Sequence, residues 1–203
     1  MFIGNFIKGI ELKNRNHYFS GICFNSSKCK KGNIFFAIEG IKINGNKFIN
    51  HAIQNGAKTI ISNQKFEGIK ENILYIRSSN VRKFLSEFAC TIYKDKPKNI
   101  IAVTGTNGKS SVSDFYFQIL RLNKKRVASI GTLGIKTQNY IKKVSNTTID
   151  PITLNIILNR LKKEKINDVI LEASSHGLKQ NRLDGLQFTT GIFTNLSHDH
   201  LDY

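Results

Sequence analysis

Apolar runs and amphipathic stretches alternate along the chain and predict strands interleaved with helices. Residues 33–38 form an almost unbroken apolar run, as in a strand buried on both faces. Phe48, Ile49, Ala52 and Ile53 then share one face of a helical pattern that Gly56 is placed to close. Residues 59–61 and 73–76 read as further strands, and Val81, Phe84, Leu85, Phe88 and Ile92 recur at the spacing of an amphipathic helix. A charged run holding one of the two prolines, Lys94-Asp95-Lys96-Pro97-Lys98-Asn99, ends this series. The seam predicts two domains, residues 1–97 and 98–203, the first a small α/β domain.

Beyond the seam, the apolar strand 100–103 runs into a glycine-rich turn and then a helical stretch holding Val112, Phe115, Tyr116, Ile119 and Leu120. Residues 127–130 supply a strand, 152–163 a helix, 169–171 a strand that ends at Glu172, and 191–194 one more. Strands alternating with helices predict a mainly parallel sheet, whose ligands bind beyond the carboxyl ends of its strands. The polar clusters of the chain fall at those ends.

Composition narrows the function classes. No stretch approaches the roughly 20 uninterrupted apolar residues that span a bilayer. The N-terminus lacks the charged region, long apolar core and small-residue cleavage site of a signal peptide. A soluble cytoplasmic protein without membrane insertion is therefore expected. Cys23, Cys29 and Cys90 show neither CxxC spacing nor matching histidine pairs, so reduced buried thiols are expected rather than a zinc site or a disulfide framework. A formal charge of +17 would favour nucleic acid. The lysines are scattered among Asn and Ile, however, with no basic stripe interleaved with stacking aromatics, and no nucleic-acid partner is expected. The excess charge suits a phosphorylated, carboxylate-rich substrate.

Thr104-Gly105-Thr106-Asn107-Gly108-Lys109-Ser110-Ser111 stands between a strand and a helix, the setting of a phosphate-binding loop. Glycines let the backbone turn its N–H groups toward phosphate oxygens, and the helix N-terminus adds a favourable dipole. A nucleoside triphosphate, which the resemblance described below makes ATP, is thus expected on Gly105, Thr106, Asn107, Gly108, Lys109, Ser110 and Ser111. Lys109 is placed to reach the β- and γ-phosphates, and the Ser110 hydroxyl to bind Mg2+. Val103 occupies the position of the first glycine in the strict pattern, so the loop has the shorter TGxxGKS form.

This loop, followed in order by NTTIDP, EASSHGLKQNRLDG and FTNLSHDHLDY, resembles the Mur ligase family. GNIFFAIEGIKINGNKFINHAIQNGAKTIIS, in the first domain, resembles that family's uridine-nucleotide-binding region. The resemblance implies a small N-terminal uridine-nucleotide-binding α/β domain followed by part of a P-loop ATP-binding domain with a mainly parallel sheet. It implies an ATP-dependent amide-forming ligase that adds the third amino acid, meso-diaminopimelate or L-lysine, to UDP-N-acetylmuramoyl-L-alanyl-D-glutamate. In that chemistry a substrate carboxylate attacks the ATP γ-phosphate to give an acyl phosphate, and an incoming amino group displaces phosphate. Lys109, Glu172 and His200 match the family's catalytic positions, and Ser110, Glu172 and His200 its Mg2+ contacts; Asn195 and Asp199 would hold the loop around His200. Asn146, Thr147, Thr148, Ser174, Gln180 and Arg182 match contacts to the sugar-peptide, and Phe24, Ser26, Ile41, Lys42 and Ile43 match contacts to UDP.

Departures from the family pattern are localised. Ser27 replaces an arginine and Ile149 a proline, and His198 stands where relatives carry arginine, so no arginine role passes to it. Ile41 and Ile43 bring no polar side chain, which leaves backbone or Lys42 for hydrogen bonding there. The resemblance stops at Tyr203, ahead of the family's carboxylated lysine and of the domain that selects the amino acid. The missing C-terminal part of the enzyme is thus an expected partner. The alternatives are a truncated nucleotide-binding remnant that cannot form the amide bond, and a folylpolyglutamate-synthase-like ligase, which the NTT and SSHGLKQNR segments disfavour.

Overall fold

A computed structural model describes residues 1–7, 10–40 and 43–197. The chain forms two compact units, Met1–Ile92 and Tyr93–Tyr203. Both are α/β.

The first unit carries β1 (Gly21–Cys23), β2 (Asn33–Phe36), α1 (Ile49–Gln54), β3 (Thr59–Ser62), β4 (Gly68–Lys70), β5 (Ile73–Arg77) and α2 (Val81–Ile92). Its sheet has the order β1-β2-β3-β5-β4, parallel except for β4, which pairs antiparallel with β5. Every residue of β2 and β3 is buried, as their continuous apolar runs require. Phe88 of α2 packs its ring against Phe6, Phe19, Phe36 and Phe84 at centroid distances of 5.7–6.0 Å. Truncating such a buried ring to alanine costs about 3–5 kcal/mol. Phe48, expected on the inward face of α1, lies in the preceding 3-10 turn and is 40% exposed, while Ile49 and Ala52 are buried. Cys23 and Cys29 are buried free thiols with Sγ atoms 2.9 Å apart, and Cys90 is half-buried.

The second unit carries β6 (Asn99–Thr104), α3 (Lys109–Leu122), β7 (Val127–Gly131), β8 (Gly134–Lys136), β9 (Ile141–Lys142), α4 (Pro151–Lys163), β10 (Asp168–Glu172), α5 (Ser175–Lys179) and β11 (Thr190–Phe193). The sheet order is β11-β6-β10-β7-β8-β9. The four strands from β11 to β7 are parallel, and β8 and β9 extend the sheet as antiparallel neighbours.

Strand alternation decides which polar groups meet. Ile100, Ala128, Ile130, Val169 and Leu171 pack in one core with Leu154, Leu158 and Leu161 of α4. Side chains one position along a strand point to the opposite face, so Val103, Ile170 and Glu172 share the other side of the sheet. That side belongs to α3, which packs on β6, β7 and β10. The inward positions of α3 are Ser113 and Phe117, one turn apart; Val112, Tyr116 and Leu120 are half-buried, and Phe115 and Ile119 are 63% and 57% exposed. Asp150 caps α4 by accepting from Thr153 N–H at 3.0 Å, with Pro151 at the first helical position. Among the described residues no helix is long and apolar enough to cross a membrane.

Candidate functional site

The loop between β6 and α3 is bent by two glycines in the left-handed half of backbone space, Gly105 at φ +134° and Gly108 at φ +86°. A Cβ on Gly105 would lie 2.1 Å from Thr194 Oγ1 and 2.8 Å from the Asn195 carbonyl, so a side chain is excluded twice over. The segment after β11 clamps the loop. Asn195 accepts from Thr106 N–H through its carbonyl and from Asn107 N–H through Oδ1, both at 3.0 Å, and its Nδ2 donates to the Asn107 carbonyl at 3.2 Å. Thr194 Oγ1 donates to the same carbonyl at 2.6 Å.

Two of the seven loop N–H groups are thereby committed to Asn195. The donors facing outward are those of the first turn of α3, whose N-cap, Gly108, gives no side-chain cap hydrogen bond. First-turn N–H groups have no carbonyl partner within their own helix, so a phosphate is well matched to them. Lys109 folds back over the loop and donates from Nζ to the carbonyls of Gly105 and Thr106, the latter at 2.8 Å.

Glu172 closes the site from the end of β10. It is 2% exposed, and its carboxylate accepts from Ser110 Oγ at 3.0 Å and Thr132 Oγ1 at 3.0 Å through Oε2, and from Thr132 N–H at 3.1 Å through Oε1. A buried carboxylate without such partners would be strongly unfavourable, and three donors offset that cost. Neighbouring Gly131 is shaped for the contact, because a Cβ there would stand 2.2 Å from Glu172 Oε1.

The expected sugar-peptide residues surround the same strand end. Thr147 Oγ1 lies 3.0 Å from Thr132 Oγ1. Buried Thr148 donates to the Glu172 carbonyl at 3.0 Å, accepts from Ser174 N–H at 2.9 Å, and lies 2.9 Å from Ser174 Oγ. Ser174 also caps α5 by accepting from Gly177 N–H at 3.1 Å. Arg182 donates to the Thr148 carbonyl through Nη1, and to Gln180 Oε1 through Nε at 3.1 Å and Nη2 at 2.7 Å. Asn146 is exposed and donates to Ser145 Oγ at 3.3 Å. Ile149, where the family pattern has proline, is buried in the α4 core.

In the first unit, Phe24 is 40% exposed and Ile43 60% exposed, while Ser26 is buried with its hydroxyl 3.0 Å from His51 Nδ1. Ile41, Lys42, His198, Asp199 and His200 lie outside the described residues.

Sequence reading missed Gly131, Thr132 and Thr194. The signal for the first two was available: a Gly-Thr pair ends one apolar strand and Glu172 ends another. The register that sets Ile130 beside Leu171, and so Gly131 beside Glu172, was needed to join them.

Among the described residues no group of three or more His, Cys, Asp or Glu side chains gathers to hold a metal. Ser110 and Glu172 nonetheless offer two hard oxygen donors next to the phosphate loop. This fits Mg2+, which keeps waters and phosphate oxygens and takes few protein ligands.

Comparison with known proteins places this geometry in a family. Residues 18–93 match the profile described as Mur ligase family, catalytic domain, and residues 103–203 match the Mur ligase middle domain. A Rickettsia prowazekii protein named UDP-N-acetylmuramoyl-L-alanyl-D-glutamate--2,6-diaminopimelate ligase is 41% identical over 93% of this chain and 40% of its own length. A protein of the same name from Buchnera aphidicola is 40% identical over 91% of this chain and 39% of its own. A solved structure of a ligase of that name superposes with a TM-score of 0.83 at 31% identity, covering 98% of this chain and 41% of that one. The chain spans about two fifths of the length of these relatives. With both profiles matched in order and the phosphate loop facing Glu172 across one strand end, the chain belongs to the Mur ligase family.

Proposed function

We propose that this chain is the muramoyl-nucleotide-binding and ATP-binding portion of a cytoplasmic ligase that joins 2,6-diaminopimelate to UDP-N-acetylmuramoyl-L-alanyl-D-glutamate at the expense of ATP. The observation that carries the reading is the 3.0 Å contact between Ser110 and Glu172, which puts a carboxylate at the mouth of a phosphate loop. The printed names of the relatives favour diaminopimelate over L-lysine. Selection of the amino acid is assigned to the part of the relatives' length that this chain does not span.

The first-turn N–H groups of α3 take the phosphate oxygens, and Lys109 leaves the carbonyls of Gly105 and Thr106 to reach the β- and γ-phosphates. Ser110 and Glu172, with His200, would hold Mg2+, which when bound neutralises charge on the phosphates being separated. The acceptor carboxylate of the sugar-peptide is presented from the Thr147, Thr148, Ser174 and Arg182 side. It attacks the γ-phosphorus, ADP leaves, and the amino group then displaces inorganic phosphate from the acyl phosphate. Positioning and charge neutralisation are the whole of the protein's contribution to such a transfer. Phe24, Ser26 and residues 41–43 are assigned to UDP.

The test is ADP and phosphate release with ATP and Mg2+ by the enzyme containing this chain. Release is expected only when both the muramoyl dipeptide nucleotide and diaminopimelate are supplied. Turnover that continues unchanged without the muramoyl nucleotide contradicts the proposal.

A further inference from the structure

Among the described residues, Thr132 is the one that hydrogen-bonds to both oxygens of Glu172, through its backbone N–H to Oε1 at 3.1 Å and its hydroxyl to Oε2 at 3.0 Å. A carboxylate accepts and cannot donate, so the single Thr132 hydroxyl proton points at Glu172. The 3.0 Å contact between Thr132 and Thr147 must then be donated by Thr147, leaving the Thr147 oxygen to face a ligand as an acceptor only. Gly131 admits the carboxylate against the backbone, since any Cβ would occupy the place of Oε1. Thr132 itself is exposed, so packing does not explain a threonine there.

We infer that Thr132 is a positioning residue, whose hydroxyl fixes the rotamer of Glu172 so that Oε2 stays beside Ser110, where the pair would hold a divalent ion. The inference rests on the proposed function, because it takes the Ser110–Glu172 pair as the ion site. Without the hydroxyl, the carboxylate keeps the Thr132 N–H on Oε1 and the Ser110 hydroxyl on Oε2 but loses one of the three donors that set its plane. Partners that orient a metal ligand in this way change metal affinity by about 10- to 100-fold when removed.

The test measures Mn2+ bound in the presence of ADP by electron paramagnetic resonance, on the full chain and on T132V and T132S. Thermal unfolding midpoints and metal-free ADP binding are measured alongside. T132V is expected to weaken Mn2+ by about tenfold or more, with metal-free ADP binding unchanged and the chain still folded at the assay temperature despite the lost hydrogen bond to Glu172, and T132S to restore the affinity to within about twofold. Wild-type Mn2+ affinity in T132V, or a T132S variant as weak as T132V, overturns this inference alone. A wild-type chain that gathers no Mn2+ with ADP overturns it together with the function on which it rests.

Discussion

The two units, each assigned a nucleotide by the proposed function, differ in how their candidate binding groups are built into the fold. In the second unit the groups that shape the phosphate loop, main-chain N–H donors and two glycines at positive φ, are the groups that would bind. In the first unit the residues assigned to UDP divide into a buried hydroxyl, Ser26, bonded to His51, and exposed apolar side chains, Phe24 and Ile43. On the proposed function, folding and binding are therefore expected to be inseparable in the backbone of the loop and separable in the first unit. A backbone site is fixed by dihedral angles and tolerates no side chain, whereas a side-chain site is adjustable one residue at a time.

The largest effect expected is at Lys109. Replacing it with alanine should lower ATP-dependent turnover by about 10²- to 10³-fold, with the unfolding midpoint kept, because among the described residues Nζ donates to the loop's own carbonyls and not to the core. Unaltered turnover would remove the loop from the chemistry. Next comes Gly105→Ala, which forces a strained φ and a clash with Thr194. It should cost about 2 kcal/mol or more in denaturant unfolding and abolish ADP binding together with stability. A Gly105→Ala variant that loses binding while keeping full stability would break the claim that the two are inseparable in the loop backbone. The smallest effects belong to the first unit. Ser26→Ala should cost about 1 kcal/mol through the lost partner of His51, while Phe24→Ala should change stability by less than about 0.5 kcal/mol yet weaken UDP binding several-fold. Equal stability losses at the two positions would erase the contrast.

The same division explains what could be read from the residues alone. The long apolar strands and α2 were legible because a continuous run or a 3.6-residue period has one structural reading. The short strands β1, β4, β8 and β9 were not, since two or three residues carry no period and β9 is wholly exposed. The phosphate loop was legible because its chemistry is local in sequence. The inward face of α3 was not legible, as Ser113 is 1% exposed while Phe115 faces out; the helix packs a small residue against β6, β7 and β10. Thr132 escaped because its role exists only through the register of β7 against β10. His200, Ile41 and Lys42 stay assigned by resemblance, lying outside the described residues.

The central claim is that the phosphate loop and Glu172 hold one nucleotide tail and one divalent ion between them. Calorimetric titration of ADP with and without Mg2+ tests it on the wild-type chain and on Glu172→Gln, which keeps the size of the side chain and removes its charge. Mg2+ should tighten ADP binding to the wild type by about tenfold or more, and should leave binding to Glu172→Gln unchanged. The same tightening in both proteins would contradict the account.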